Sequence, residues 1–82
     1  MNSKQIKEFS NKILKLTTRY YNKQLDWNSI WSYYSIVYEE YPNDVQKYNI
    51  KMYLIHKKLV KDSPTYCILT DGGKVLSLFL IL

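Results

Sequence analysis

The sequence predicts a single domain that is mainly α-helical with a small β-hairpin. Three successive segments place apolar residues three or four positions apart, which is the spacing of helices that bury one face. The turn-forming residues 62–65 then precede the β-favouring residues 66–69, Tyr-Cys-Ile-Leu. A chain of 82 residues with 46% hydrophobic residues is sufficient for one such domain, spanning residues 1–82.

The first helix is predicted over residues 3–21, with Asn2 or Ser3 as its N-cap. Residues 22–25 are polar enough to form a short connection to the next helix. The apolar stripe of this first helix consists of Ile6, Phe9, Ile13, Leu16 and Tyr20.

The second helix is predicted to begin after an Asp26 N-cap and to stop before Pro42. Its only apolar face is rich in aromatic residues. Such a stripe could stack single-stranded bases, but core packing is the simpler interpretation in a small protein. The face consists of Trp27, Ile30, Trp31, Tyr34, Val37, Tyr38 and Tyr41.

The third helix is predicted to open at Asn43 or Asp44, with Gln46 placed for a capping-box contact. Ile50 and Leu54 fall on the side opposite its longest apolar stripe. Either this outer side meets a DNA groove, or Ile50 and Leu54 pack against a second subunit or the C-terminal segment. The stripe expected in the core consists of Val45, Tyr48, Met52, Ile55 and Leu59.

The C-terminal residues 74–82 are almost uniformly apolar, and two structures remain open for them. Residues 70–73, Thr-Asp-Gly-Gly, are suited to cap a final helix or to turn the chain into a strand, and the leucine content favours the helix. A run that is apolar on all sides implies a partner surface. No segment approaches the roughly 18 apolar residues of a membrane span, so a soluble, cytoplasmic protein is expected.

Charge is segregated along the chain. Twelve basic and seven acidic residues give a net charge of +5. Residues 46–61 contain five lysines and no acid, whereas residues 25–45 contain four acids and no base. This balance favours a polyanionic partner, although lysines also serve simply to solvate helix surfaces. Lys, Asn, Tyr and Ile account for 34 residues and Ala for none, a bias towards A/T-rich codons that suggests a viral or plasmid protein.

Catalysis is not predicted, and neither is a cofactor or a metal site. Cys67 and His56 are the only residues of their types, and no motif surrounds either one. The two glycines are adjacent, so there is no glycine-rich phosphate loop. Glu39 and Glu40 would point about 100° apart on a helix and would not converge as a carboxylate pair.

The order of these segments resembles the winged helix-turn-helix DNA-binding domain of small multiple-antibiotic-resistance-type transcriptional regulators. Residues 59–61, Leu-Val-Lys, resemble the strand entry of that family. Residues 69–73, Leu-Thr-Asp-Gly-Gly, resemble the start of its next helix, with Gly73 in the place of the family glycine. Lys58 departs from the pattern, because the family has a glycine that leaves the helix in a left-handed conformation. Either the backbone turns differently here or Lys58 carries that cost.

The resemblance implies a transcriptional regulator that binds double-stranded DNA, with the third helix in the major groove and a minimal wing. It also implies a two-fold dimer, and self-association is the means left to stabilise so small a chain. The alternative is a small viral or plasmid protein that binds and modulates a host protein through the apolar C-terminus or the side carrying Ile50. The expected DNA contacts are Gln46, Lys47, Ile50, Lys51, Tyr53, Lys57, Lys58 and Lys61, and the expected dimer contacts are Leu76, Leu78, Phe79, Leu80, Ile81 and Leu82.

Overall fold

The computed structural model describes residues 2–19 and 25–81, and these residues form a mainly helical domain with a small antiparallel sheet. The helices and strands follow one another as α1 (Ser3–Arg19), β1 (Leu25–Asp26), α2 (Trp27–Tyr38), α3 (Asp44–His56), β2 (Tyr66–Cys67) and α4 (Asp71–Ile81). The mainly α-helical prediction with a small β component is therefore confirmed.

Helix α1 packs against each of the other three helices. Its buried residues Ile13, Leu14 and Leu16 belong to the main hydrophobic cluster. Asn2 begins the helix in a reciprocal cap: the Gln5 backbone N–H donates to Asn2 Oδ1 at 2.9 Å, and the Asn2 N–H donates to Gln5 Oε1 at 3.0 Å. Tyr20 of the predicted stripe lies outside the described residues, as does the predicted connection over residues 22–25 except for Leu25, which begins β1.

Helix α2 begins as predicted, because Asp26 Oδ1 accepts a 2.7 Å hydrogen bond from the Ser29 backbone N–H. Its aromatic face packs in the core, where Tyr34 is fully buried. The helix ends at Tyr38, earlier than the Pro42 stop predicted, because Glu39 adopts a left-handed conformation with φ 53°. Tyr41 therefore lies beyond the helix and is 79% exposed, so its assignment to the buried face is wrong.

Helix α3 buries Ile50 and Leu54, which lie opposite the predicted core stripe, and of that stripe only Ile55 and Leu59 pack against the core. Ile50 and Leu54 are both 0% exposed and pack in the same cluster as the α1 core residues, whereas Val45 is 69% exposed. The physical reason lies in the lysines beside Ile50 and Leu54, whose aliphatic stems can line the edge of a core while their ammonium groups stay in water. The core contacts of Ile50 and Leu54 are therefore made within one chain.

After α3 the chain turns at Lys58, whose φ is 59°, so Lys58 does carry the left-handed conformation usually given to glycine. Val60 and Leu69 then form an antiparallel bridge, and the Lys61 N–H donates to the Ile68 carbonyl at 2.9 Å. On its other side the returning segment pairs with β1, in the register Leu25 with Cys67 and Asp26 with Tyr66. Residues 66–69 thus lie between β1 and Val60.

The C-terminal segment is a helix, so the strand alternative is wrong. Thr70 caps α4, because its Oγ1 accepts a 3.0 Å hydrogen bond from the Gly73 N–H. Thr70 also fastens α4 to the end of α3: its hydroxyl donates to the Lys58 carbonyl, and its N–H donates to the Leu59 carbonyl at 3.0 Å. Of the helices in the described ranges, none has the length and apolar character needed to traverse a bilayer.

Candidate nucleic-acid interface

The outward side of α3 is uncharged along most of its length and partly apolar. Val45 and Tyr48 are 69% and 62% exposed, and Asn49 and His56 are also exposed, while Met52 is half-buried. These residues recur at helical spacing on the side opposite Ile50 and Leu54. We refer to the five residues Val45, Tyr48, Asn49, Met52 and His56 as the α3 outer stripe.

Two lysines lie on the flank of α3 between Leu54 and this stripe and are held against aromatic rings of α2. Lys47 Nζ lies 5.9 Å from the centroid of the Trp31 ring, and Lys51 Nζ lies 5.3 Å from that of Trp27. Both lysines are half-buried. The aliphatic stems of both lysines therefore pack along α2, and their charged groups remain at its edge. Each cation–π contact of this kind is worth about 0.5–1 kcal/mol at exposed sites.

A second basic group lies at the C-terminal end of α3. Lys57, Lys58 and Lys61 are all exposed there, and Lys57 Nζ lies 5.7 Å from the Tyr53 ring centroid. These three lysines are near neighbours in the sequence. They lie around the left-handed turn at Lys58 and the bridge at Val60, beside the paired residues 60–69. Of the lysines expected from the sequence, two thus lie on the α2-facing flank of α3 and three at the C-terminal end of the helix.

The structure alters the interpretation of two expected DNA contacts, Ile50 and Gln46. Ile50 is 0% exposed, so its predicted contact with a base edge is wrong. Gln46 is half-buried and completes the capping box of α3: its N–H donates to Asn43 Oδ1, and its Oε1 accepts from the Asn43 N–H, both at 2.9 Å. The carbonyl oxygen of Gln46 is therefore engaged within the helix.

Sequence reasoning missed most of the α3 outer stripe as a candidate surface. Val45, Tyr48 and Met52 were assigned to the core because they form the longer apolar stripe. The signal that could have identified them is the polar pair Asn49 and His56, which flank this stripe on the helical wheel.

The titratable groups of the core lie away from this surface and have structural roles. Glu40 forms an ion pair with Lys12 of α1 and accepts a 3.2 Å hydrogen bond from the Tyr34 hydroxyl. Burial, followed by the charge of Glu40, raises the pKa of Tyr34 well above its ordinary value. Burial likewise raises the pKa of the Cys67 thiol to about 12, although nearby Lys51 opposes the shift. Cys67 is therefore held as a neutral, buried thiol.

The described parts of the chain contain no cluster of three or more His, Cys, Asp or Glu side chains that could hold a metal ion. A cleft with a volume of about 200 Å³ lies between the end of α1 and the start of α4. It is predominantly apolar, and its lining consists of Thr18, Leu69, Lys74, Ser77 and Leu78.

An apolar surface remains exposed on α4. Phe79 is 71% exposed, and Val75, Leu78 and Ile81 are each more than half exposed. We refer to these four residues as the α4 apolar face. Of the six dimer contacts expected from the sequence, Leu78, Phe79 and Ile81 lie on this face, Leu76 and Leu80 pack half-buried against the chain's own core, and Leu82 lies outside the described residues.

Comparison of the chain with protein-family models, with curated protein sequences and with solved structures gives no match in any of the three searches.

Proposed function

We propose that the protein is a transcriptional regulator with a winged helix-turn-helix fold, which binds double-stranded DNA as a dimer with α3 in the major groove. The observation that carries this proposal is the pairing of residues 59–70 directly after α3. There Val60 and Leu69 form an antiparallel bridge, which we interpret as a minimal wing, and Lys57, Lys58 and Lys61 are exposed beside it.

The order and pairing of the elements support the proposed fold. Three helices precede the paired residues 60–69, and a short strand, β1, leads directly into α2. Residues 66–69 pair with β1 on one side and with Val60 on the other, so the ladder stands next to the end of α3. This arrangement leaves the α3 outer stripe uncovered by the described residues.

The distribution of charge around α3 supports a fit to duplex DNA. An α-helix with its side chains is about 10–12 Å across, which matches a major groove about 12 Å wide. With the α3 outer stripe in the groove, the exposed Lys57 and Lys61 at the end of the helix are suited to contact backbone phosphates. The uncharged stripe would then meet the base edges.

The α4 apolar face supports the dimeric part of the proposal. Side chains such as Phe79, 71% exposed, contribute about 25 cal/mol for each Å² of apolar surface removed from water, and a chain of this size gains from such burial. A two-fold pair would present two α3 helices to inverted half-sites on DNA. Sedimentation tests this directly, since Phe79→Asp should convert a dimer into a monomer without unfolding it.

Titration of duplex DNA at increasing salt tests the central proposal. Affinity should fall steeply with salt, with a slope of about −0.9 for each phosphate neutralised. Lys61→Ala should weaken binding and lower the magnitude of that slope by about 1. Lys7→Ala removes an exposed lysine from α1 and is the matched control, with affinity and slope expected to stay unchanged. Absence of duplex binding, or equal loss in both variants, contradicts the proposal.

A second function, binding of a host protein, is supported by the same α4 apolar face, which a monomer would leave exposed. The sedimentation experiment separates the two functions. A wild-type chain that is monomeric and has no affinity for duplex DNA favours the host-binding function, whereas a dimer with salt-dependent duplex binding favours the regulator.

A further inference from the structure

We infer that the α3 outer stripe selects A·T-rich DNA, with Asn49 reading adenine and Val45 and Met52 contacting thymine methyl groups. This inference rests on the proposed DNA-binding function and specifies which sequences the same site prefers.

The chemistry of the α3 outer stripe matches A·T pairs better than G·C pairs. In the major groove guanine presents two acceptors, which are recognised most often by Arg or Lys. The outer stripe contains neither residue type, and Lys47 and Lys51, on the α2-facing flank of α3, hold their ammonium groups over Trp31 and Trp27. Adenine presents one acceptor and one donor, a pair that a carboxamide matches.

Asn49 is the carboxamide best placed to read adenine. It is exposed within the first half of α3, where a recognition helix contacts base edges, and within the described residues no hydrogen bond engages its side chain. Gln46 is the other carboxamide in this half of the helix, but its oxygen accepts from the Asn43 N–H in the capping box. Asn49 therefore retains both its donor and its acceptor for a bidentate contact.

The apolar members of the stripe complement thymine. Val45 lies one helical turn before Asn49 and is 69% exposed, and Met52 lies on the same side of α3, about one turn after Tyr48. The thymine methyl is the only apolar group that a base pair presents in the major groove. Contact between Val45 and this methyl removes from water a side chain that the fold itself leaves exposed.

The test uses three synthetic duplexes of equal length: one of alternating A and T, one of alternating G and C, and one in which deoxyuridine replaces every thymidine of the first. Deoxyuridine keeps the base pairing and removes only the methyl group. Wild-type protein should bind the A·T duplex about five- to a hundredfold more tightly than the G·C duplex and should lose part of that advantage with deoxyuridine. A fourth duplex containing deaza-adenine, which lacks the ring-nitrogen acceptor, isolates the adenine contact.

Two variants assign these effects to residues. Val45→Ala should show a smaller difference between the thymidine and deoxyuridine duplexes than wild type does, because only Met52 then remains to contact the methyl groups, and Asn49→Ala should bind the adenine and deaza-adenine duplexes equally. Asn28→Ala changes an exposed Asn on α2 and should behave as wild type. Circular dichroism of each variant verifies the helical fold.

The outcomes separate this inference from the function on which it rests. Salt-dependent binding of equal strength to the A·T and G·C duplexes overturns the A·T preference and leaves the DNA-binding proposal standing. Absence of binding to every duplex overturns both. An A·T preference that neither variant reduces overturns the assignment to Val45 and Asn49.

Discussion

Gly73 lies so close to Leu59 that a Cβ atom on Gly73 would fall 1.9 Å from the Leu59 carbonyl oxygen. This contact brings the first turn of α4 against the chain that leaves α3. The glycine is required by close approach and not by its backbone angle, since no glycine in the described part of the chain has a positive φ.

Substitution of the two adjacent glycines should therefore have opposite effects. Gly73→Ala should destabilise the fold by at least about 2 kcal/mol, because its Cβ overlaps backbone atoms that cannot move aside easily. Gly72→Ala is the matched control, since the nearest atom to its Cβ would be 3.7 Å away. It should stabilise α4 by up to about 1 kcal/mol. Urea denaturation measures both, and equal midpoints would contradict the contact.

Lys58 and Glu39 are the two residues with left-handed backbones within ranges 2–19 and 25–81, and replacing either with glycine should stabilise the protein. Their φ angles are 59° and 53°, and a side chain in this region costs about 1–2 kcal/mol, part of which is offset by the greater freedom of glycine in the unfolded chain. We expect each variant to gain about 0.5–1 kcal/mol in thermal or urea denaturation.

The same pair separates stability from DNA binding. Lys58→Gly removes an exposed lysine of the proposed interface and should bind duplex DNA more weakly despite its greater stability. Glu39→Gly should not weaken binding, because Glu39 lies after α2 and carries no positive charge. If the Lys58→Gly variant bound duplex DNA with unchanged affinity, Lys58 would not belong to the proposed interface.

Ser10 contributes an unpaired polar atom to the core. It is 1% exposed, and its Oγ has no hydrogen-bond partner in the structure. Ser10→Ala should therefore stabilise the protein by about 0.5–1 kcal/mol, from the removed hydroxyl and the higher helix propensity of Ala. Ser77 is the matched control, because it is equally buried but donates to the Lys74 carbonyl at 2.8 Å. Denaturation should find Ser77→Ala less stable than Ser10→Ala.

Tyr34 should make the fold sensitive to alkaline pH. Burial and the neighbouring Glu40 raise its pKa in the folded state, whereas an unfolded tyrosine loses its proton near pH about 10. Its contribution to stability is therefore present below pH about 10 and is lost as pH rises further, because deprotonation then favours the unfolded chain. Tyr34→Phe keeps the ring, and its urea midpoint should fall less steeply than that of wild type between pH about 9 and about 11. If the urea midpoints of wild type and Tyr34→Phe fell equally with rising pH, the role of Tyr34 in alkaline sensitivity would be excluded.

Local rules predicted the ends of the helices well. Asp26 caps α2, and Asn43 with Gln46 forms the capping box of α3, because each cap depends on residues only three positions apart. Neighbouring residues alone do not determine whether residues 74–82 form a helix or a strand. Thr70 to Gly73 suits a cap or a turn equally, and the contacts of Thr70 and Gly73 with Lys58 and Leu59, more than ten positions away, favour the helix.

The buried side of α3 was predicted wrongly because the helix has two apolar rows. The row containing Val45 and Tyr48 has more members, but Ile50 and Leu54 face α1 and fill the core. Which row is buried depends on the position of α1, and periodicity within α3 contains no information about it. The lysines of the candidate site follow from charge counting, whereas the outer stripe follows from the observed side of burial, for which Asn49 and His56 are the signal that the sequence offers.

Thr70 bonds to the carbonyl groups of both Lys58 and Leu59, and it caps α4 at the same time. These hydrogen bonds hold the end of α3 and the beginning of α4 in a fixed relative orientation. In a pair of subunits joined through α4, a change in the crossing angle of the two α4 helices would therefore also change the distance and angle between the two α3 helices. The number of base pairs separating two bound half-sites would then be fixed by the packing of α4, at a distance from any nucleotide.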